Sequence, residues 1–465
     1  MNRLCERSNY SIIALILKSL ALTKAIAVGR LQVFVPTDPS RYNSFRLTRK
    51  APSTPSILPL SGAANILQAS CETFDLQDGR KTLIVATTAD RKLNLLDPGD
   101  KFRTIGSSSQ ILDSPILTYA VLPSRYIICG SMSGNLVLYN AELNQIMSSR
   151  KDHTKFVVRL ATFDAGNGHV WLASAGWDHK VFIYDLAEET RTPTLPEPKA
   201  RIELLSNPEA ILLIKDPDHG CLHLLLTRRD STFIFFYNLS GLSNSGDTES
   251  QLPLSGQQNL APGSSAWVAF TPTALALCPT DQTRVAVATS TVPHMKVIIA
   301  RLLFPKEAGL SSAPDKNLSP GGAEQHLLPL GHALDRDLDP AASTVLLDRT
   351  VIAQKGRDEA AILVYCNSFA PQTLYSTPAI AWRPDGSGLW VNSDDGIIRG
   401  IEARTGHVVV KLEGHEAASK IRCLWAGWVD LGPNANSREE WVVSGGFDQR
   451  LIAWRTATSN TSIIP

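Results

Sequence analysis

Two groups of residues have the side-chain types that acid–base and nucleophilic catalysis use. One group is His153, Ser174 and Asp178, and the other is His415, Ser444 and Asp448. A histidine held by a carboxylate can act as the general base for a serine hydroxyl. Neither serine lies in a GxSxG motif, the sharp turn that presents a nucleophilic serine. A catalytic His–Asp dyad would therefore lack a recognisable nucleophile, and it is the alternative to a structural role for both histidines.

The sequence lacks the other common motifs of catalysis and cofactor binding. It contains no Walker loop, no dinucleotide-binding fingerprint before a helix, and no HExxH. Its seven cysteines are dispersed and none forms a CxxC pair, which argues against a zinc site and against a disulfide framework. We predict free cysteines in a reducing compartment, no metal, no cofactor and no enzymatic activity.

Composition and charge exclude several classes of protein. Of the 465 residues, 43% are hydrophobic and 19% are charged, which is typical of a globular chain. Residues 1–50 carry a net charge of about +7, and the remainder carries about −6. The mildly acidic body argues against nucleic acid as a partner. The most apolar stretch, Ile12 to Val28, is interrupted by Lys18 and Lys24, so no membrane span is predicted.

The elements that must position these residues are short strands that recur along the chain. In Leu172–Asp185 and in Val443–Arg455, an apolar strand leads through a turn with Gly and Asp into an alternating strand with an aromatic residue near its end. The turn aspartates, Asp178 and Asp448, each precede the end of their segment by seven residues. Five weaker copies extend the pattern. The seven copies end at Leu96-Asp97, Tyr139-Asn140, Tyr184-Asp185, Tyr237-Asn238, Ala300-Arg301, Ile401-Glu402 and Trp454-Arg455.

This pattern resembles the WD-repeat β-propeller family, whose repeats are about 40–45 residues long. The terminal dipeptides follow one another at 43, 45, 53, 63, 101 and 53 residues, so two repeats have standard length and the others carry insertions. The resemblance implies an all-β, seven-bladed propeller with a short helical element at its N-terminus. Each blade is a four-stranded antiparallel sheet that buries its faces by radial stacking. Closure of the ring needs an upstream strand, and we expect Ser56 to Leu60 to be the outer strand of blade 7.

The resemblance also implies a role for the two groups of His, Ser and Asp. WD repeats join a histidine before the first strand, a Ser or Thr on the second strand, the turn Asp and a Trp in one hydrogen-bonded network. Blade 7 has the full set, which is His415, Ser444, Asp448 and Trp454. Blade 3 has His153, Ser174 and Asp178, with Tyr184 in place of the tryptophan.

Two insertions interrupt the propeller, which is predicted to span residues 56–456 before a tail at 457–465. Residues 240–268 are rich in Ser, Gly and Asn, which favours a mobile loop. Residues 305–358 are charged, contain Pro and Gly, and precede an extra strand at Ala361–Tyr365. Long loops are either functional or disordered, and the sequence leaves both open.

The head at residues 1–30 is predicted to be a separate helical element, and residues 31–55 a linker. The segment from Ile12 to Ala25 has apolar residues at helical spacing and resembles a LisH motif, a short dimerisation element found before WD-repeat propellers. The resemblance implies a homodimer formed through this helix. A helix packed on the propeller is one alternative. A mitochondrial presequence is another, because the head is basic and poor in acids.

The chain as a whole resembles fungal LisH/WD-repeat proteins, on the segments Tyr375-Ser-Thr-Pro, Trp382 to Asn392 and Arg399-Gly-Ile-Glu402. This implies a cytoplasmic or nuclear scaffold or adaptor subunit that binds other proteins in a multiprotein complex. A propeller enzyme with its site at the channel mouth and a mitochondrial WD-repeat protein are the alternatives.

The family also places the residue before each turn Asp on the top rim of the propeller, where partners bind. We therefore expect protein binding at Met132, Trp177, Asp394 and Phe447. Partly exposed aromatic residues at a rim carry much of the energy of protein interfaces. The alternative is that both aromatic rings fold back onto neighbouring blades.

Overall fold

The computed structural model describes residues 51–455, except 61, 109–113, 123–124, 167, 188–193, 243–249, 264–269, 306–339 and 431–437. The predicted LisH-like element, all but the last residues of the linker, and the predicted tail lie outside the described residues. The described chain is all-β in class, with 29 strands and one helix, α1 (Pro340–Ala361).

The strands form seven sheets, which are the seven blades of a propeller. The first strand among the described residues, β1 (Thr54–Leu58), belongs to the last blade. Blade 1 consists of β2 (Ile66–Leu76), β3 (Gly79–Thr88), β4 (Leu93–Asp97) and β5 (Arg103–Ser108). Blade 2 consists of β6 (Ile116–Val121), β7 (Tyr126–Ser131), β8 (Asn135–Asn140) and β9 (Gln145–Lys151). Blade 3 consists of β10 (Val157–Gly166), β11 (His169–Gly176), β12 (Lys180–Ala187) and β13 (Ala200–Glu203).

The remaining blades follow the same order. Blade 4 consists of β14 (Pro208–Lys215), β15 (Leu222–Arg228), β16 (Phe233–Asn238) and β18 (Gly256–Asn259), and β17 (Ser250–Gln251) pairs in parallel with β13 of blade 3. Blade 5 consists of β19 (Pro272–Cys278), β20 (Asp281–Thr289), β21 (His294–Arg301) and β22 (Ile362–Pro371). Blade 6 consists of β23 (Ile380–Trp382), β24 (Gly388–Val391), β25 (Ile397–Glu402) and β26 (Val408–Glu413). Blade 7 consists of β27 (Ile421–Asp430), β28 (Arg438–Gly446), β29 (Leu451–Arg455) and β1.

The assignment of the seven repeats is confirmed. Every predicted terminal dipeptide lies on the third strand of its blade, including the degenerate Ala300-Arg301 on β21. The closure of the ring is confirmed as well. β1 pairs antiparallel with β29, and Ser56 lies opposite Ala453 in that register. The strand begins and ends two residues earlier than the predicted Ser56 to Leu60, so it includes the last two residues of the predicted linker. The first strand among the described residues is therefore the outer strand of the last blade.

The hydrophobic core lies between the blades rather than at one centre. Seven apolar clusters fill the seven blade–blade contacts, and the cluster between blades 7 and 1 closes the ring. The middle strands pack on both faces, so β4 is buried at all five positions. Outer strands have one face in water, and β26 alternates accordingly. This explains why the second and third strands read as apolar runs in the sequence.

Both insertions contain structure that the sequence did not predict. Within residues 240–268, expected to form a mobile loop, β18 supplies the outer strand of blade 4. Within 305–358 the chain forms most of α1, and β22, which overlaps the expected extra strand, is the regular fourth strand of blade 5. Short polar segments such as β18 take their strand conformation from pairing with a blade edge, because their own residues carry little propensity. No helix among the described residues combines the length and the apolar character needed to cross a bilayer.

Candidate functional site

The four residues predicted for binding all lie on the same face of the ring. We define the top face as the end that carries the turns between second and third strands. Trp177, Met132 and Phe447 each donate their backbone N–H to the carbonyl just before the first strand of their own blade, at 2.9, 3.0 and 2.9 Å. Asp394 instead donates to Pro371 at the end of blade 5, at 3.1 Å. All four residues therefore lie in turns between second and third strands, and three of them share the same backbone hydrogen bond.

The same backbone bond identifies top-face residues that the sequence patterns missed. Arg229 of blade 4 and Ser290 of blade 5 donate their N–H groups to Asn207 and Thr271, at 2.8 and 3.0 Å. Neither residue precedes a well-formed Gly–Asp turn, so the repeat pattern was too degenerate to place them. In blade 4 the Asp230 that follows Arg229 was the remaining signal.

A cavity of about 770 Å³ opens on the top face across four consecutive blades. We call it the top-face cavity. Its lining includes the turn residues of blades 2 to 5, which are Met132, Trp177, Arg229 and Ser290. The connection at residues 372–378, which leads from blade 5 into blade 6, forms the opposite wall. The structure thus brings two of the four predicted residues into one cavity, whereas Asp394 and Phe447 are not among its lining residues.

Trp177 and Phe447 differ in their surroundings. The Trp177 ring stacks on Phe156 at a centroid distance of 5.2 Å, and the Arg229 guanidinium lies 5.8 Å from its centroid. Trp177 is therefore half-buried and held in place, as the alternative interpretation expected for it. Phe447 is 44% exposed, as the main interpretation expected. An indole fixed between a ring and a guanidinium loses little side-chain entropy on binding, which suits it to a contact surface.

Asp394 holds the connection at residues 372–378 in place. Its carboxylate accepts hydrogen bonds from Ser376 at 2.5 Å and Thr373 at 3.2 Å, and it pairs with Lys420 at 3.3 Å. Only 12% of its side chain is exposed, so it shapes the wall of the cavity rather than presenting itself to solvent. The tip of the connection carries Leu374 and Tyr375, which are 86% and 87% exposed. Sequence patterns did not predict this pair, because it lies between strands and has no periodicity.

Below the top-face cavity lies the central channel, with a cavity of about 460 Å³ lined by the first strands of the blades. Tyr119 is fixed there by its hydroxyl, which donates to the Val85 carbonyl at 2.9 Å and lies 2.7 Å from the Ser70 hydroxyl. Among the described lining residues Glu72 is the one carboxylate, and none is a histidine. Burial raises the pKa of Glu72, partly offset by its hydrogen bond with Ser70. A single carboxylate of this kind does not form an acid–base pair.

Two arginines mark the boundary between the two cavities and line both of them. Arg159 comes from β10 of blade 3, and Arg422 from β27 of blade 7. Arg422 donates from Nη1 to the Thr377 hydroxyl at 3.1 Å, and Arg159 donates from Nη1 to the Val158 carbonyl at 3.0 Å. We call this pair the arginine neck. The sequence offered no signal for it, because the two arginines face one space only when the ring is closed.

The two His–Asp–Ser groups form the predicted networks, away from the channel. In blade 7, His415 lies 2.8 Å from the Asp448 carboxylate through Nδ1 and 2.8 Å from the Ser444 hydroxyl through Nε2. The Trp454 indole donates to the same hydroxyl at 3.0 Å. Nδ1 of His415 carries a proton in this network, because the Asp448 carboxylate can only accept a hydrogen bond.

Blade 3 repeats this arrangement with one difference. His153 lies 2.9 Å from Asp178 and 2.9 Å from Ser174. The Tyr184 hydroxyl donates to Asp152 at 2.9 Å. A Cβ on Gly176 would lie 2.3 Å from His153 Nδ1 and 2.6 Å from the Asp178 carboxylate, so the turn next to the histidine has room only for glycine.

The electrostatics of both networks agree with a structural role. Burial by itself raises the pKa of Asp448, but the hydrogen bond and charge of His415 and the backbone N–H groups of Glu416 and Arg450 bring the pKa below its usual range. The pKa of Asp178 is lowered in the same way by His153 and two backbone N–H groups. Both serines are buried, so no substrate reaches their hydroxyls from solvent. The described residues also contain no group of three or more His, Cys, Asp or Glu side chains placed to hold a metal ion.

Comparison with known proteins supports the fold. No curated protein matches the chain. The model of one family, described as UCP007778, beta-propeller domain, matches residues 70–454. The match begins in β2, the first strand of blade 1, and ends in β29 of blade 7, so it includes part or all of every blade. The chain therefore belongs to the UCP007778 β-propeller domain family.

Proposed function

We propose that the protein is a non-catalytic interaction scaffold that captures another protein at its top-face cavity. One observation carries the proposal: Leu374 and Tyr375 stand almost fully exposed at the wall of a cavity whose opposite side holds Trp177 and Met132. Aromatic and methionine side chains around a depression are the composition that protein interfaces prefer. Asp394 supports this arrangement by holding the connection in place.

The cavity is suited to a segment of a partner rather than to a flat surface. A volume of about 770 Å³ accommodates several side chains. Its wall is fixed by hydrogen bonds, so binding does not have to order it first. The proposal includes the finer assignments made from the sequence, namely that the blades are WD repeats, that the head is a LisH-like dimerisation element, and that the protein acts in the cytoplasm or nucleus.

The experiment is a comparison of partner capture by the tagged full-length chain and two double variants. Leu374→Ser with Tyr375→Ser removes the exposed pair at the cavity. Leu143→Ser with Ile146→Ser is the matched control, because these residues are 53% and 45% exposed on blade 2 outside the cavity. Proteins recovered by affinity purification are identified by mass spectrometry.

We expect the same partner from the wild type and the control, and its loss from the cavity variant at an unchanged melting temperature. Recovery of an equal amount of partner from all three chains would place the binding surface elsewhere on the molecule. Substrate turnover that depends on Glu72 of the channel would instead favour the alternative of a propeller enzyme.

A further inference from the structure

The arginine neck places two positive charges where the central channel meets the top-face cavity. Arg159 and Arg422 belong to the first strands of blades 3 and 7, and each lines both cavities. Burial lowers the pKa of Arg159 most, the charge of Glu209 raises it, and the charge of Arg422 lowers it by a smaller amount. Two like charges that line the same space repel each other, and burial strengthens that repulsion.

Neither guanidinium is neutralised by the part of the chain that the structure describes. Their hydrogen bonds go to a hydroxyl and to a backbone carbonyl, which carry no charge. The Nε of Arg422 is buried and has no hydrogen-bond partner. Buried donors of this kind are costly, so each one calls for an explanation.

The acidic residues nearby do not supply the missing partner. Glu209 lies on the wall of the top-face cavity and raises the pKa of Arg159, but it is already ion-paired with Arg229 at 2.8 Å. Glu72 lines the channel and not the top-face cavity, and its carboxylate is hydrogen-bonded to Ser70. Asp230 also lines the top-face cavity, and among the described residues no ion pair joins it to either arginine of the neck. Both guanidinium groups thus lack an ion-pair partner in the described part of the chain, and an anion entering from the top face can pair with them.

We propose that the arginine neck binds the carboxylate of an acidic side chain on a partner protein, whose apolar neighbours fill the top-face cavity. This inference rests on the proposed function and specifies its partner as a segment with an Asp or Glu flanked by apolar residues. Guanidinium groups bind carboxylates through paired, charge-assisted hydrogen bonds. The apolar flanks follow from Met132, Trp177 and Leu374, which line the same cavity just above the neck.

The test is selection of peptides from a random, unphosphorylated display library on the full-length protein. Affinities of the selected peptides are measured by fluorescence anisotropy for the wild type and for Arg159→Gln with Arg422→Gln. The control is Arg125→Gln with Arg438→Gln, which removes the same charge. Those two arginines are ion-paired with Glu142 and Asp430 near the turns between first and second strands, at the opposite end of the ring. Melting temperatures establish that all three chains are folded.

We expect the selected peptides to share an acidic residue between apolar residues, and their Kd to rise about tenfold or more in the neck variant but not in the control. Replacing the acidic residue of the peptide by its amide should produce a similar loss, and the two changes together should add little. Selected apolar peptides that keep their Kd in the neck variant, but lose affinity when Leu374 and Tyr375 are replaced, would overturn the inference. That outcome would leave the proposed function intact. Competition by inorganic phosphate as effective as that of the peptide would reassign the neck to a free anion.

Peptides that bind without needing either the neck or the exposed pair, or no selected peptides at all, would overturn both proposals. The neck variant also gives an independent readout. Because it relieves the repulsion of two guanidinium groups, we expect it to melt at a higher temperature than the wild type in the absence of peptide, and a clearly lower one would overturn the claim that the pair is unneutralised.

Discussion

Blades 7 and 1 are neighbours in the ring, yet their turns are held in different ways. In blade 7, Asp448 is bound by His415, which comes from the connection between blades 6 and 7, 33 residues earlier. In blade 1, Asp90 is bound by Thr88 at 2.5 Å and Lys92 at 2.8 Å, both within two residues of it. The Asp448 side chain is completely buried, whereas 34% of the Asp90 side chain is exposed.

The two blades also differ in how they are built. Blade 1 is one continuous piece of chain, so a local hairpin turn is enough to hold its strands. Blade 7 is assembled from two distant segments, β1 and β27–β29. Its network joins the turn, the second strand, the third strand and the connection from blade 6, and so fixes the blade that closes the ring. Local bonds stabilise a hairpin, while long-range buried bonds stabilise the arrangement of hairpins.

The strongest test of this comparison is Asp448→Ala. It leaves His415 and the backbone N–H of Glu416 without their acceptor, and a buried unsatisfied group costs about 1–3 kcal/mol. We expect the free energy of unfolding to fall by about 2–4 kcal/mol, measured by chemical denaturation. Asp448→Asn keeps one acceptor oxygen and should lose less. A loss below that of Asp90→Ala would contradict the assignment.

Asp178→Ala in blade 3 should have the second-largest effect. It also removes the acceptor of a buried histidine and of a backbone N–H, that of Thr154 at 2.9 Å. Blade 3 is continuous in its four main strands, however, so its position depends less on the network. We expect a loss of about 1–3 kcal/mol, and a value clearly larger than for Asp448→Ala would show that ring closure does not matter.

Acid should weaken the network of blade 7 in a defined direction. The pKa of Asp448 is lower in the folded protein than its unfolded value of about 3.9. Its stabilising contribution is therefore fully present above about pH 4 and is lost as the pH falls through the lower, folded-state pKa. The difference in unfolding free energy between wild type and Asp448→Asn should be constant from pH 5 to 7 and shrink below about pH 4. A difference that grows as the pH falls would show that folding does not lower the pKa of Asp448.

Asp90→Ala should have the smallest effect. Its bonds are local and partly exposed, and exposed ion pairs contribute about 0–1 kcal/mol. We expect a loss below about 1 kcal/mol in the same denaturation experiment. Thr88→Val, which removes the local hydroxyl donor, serves as the control and should have a similarly small effect.

The sequence predicted the features that repeat. The seven third strands and the pairing of the segment at Ser56 with blade 7 follow from spacing and from the match between the two ends of the repeat region. The bonds of His153 and His415 were predicted from the resemblance to WD repeats. These features are fixed by neighbouring residues or by the need to close the ring. Their physical causes can therefore be recognised from the linear sequence alone.

The features that escaped prediction depend on which blades meet. Arg159 and Arg422 come together only across the closed ring. Arg383 of blade 6 and Glu440 of blade 7 form a fully buried, bidentate ion pair at 2.8 and 2.6 Å, and 57 residues separate them. Leu374 and Tyr375 are positioned by the hydrogen bonds that Thr373 and Ser376, on either side of them, donate to Asp394. No periodicity marks such residues, because their partners lie on different blades or depend on loop geometry.

The pairing of β1 with β29 also sets the order of events during synthesis. Ser56 and its hydrogen-bond partner Arg455 are 399 residues apart. At about 5–20 residues per second, the ribosome needs roughly 20–80 s between them. Throughout that interval β1 has no strand to pair with, and the apolar surface between blades 1 and 7 is open to other nascent chains. The speed of translation therefore sets how long the molecule is vulnerable to aggregation before its ring can close.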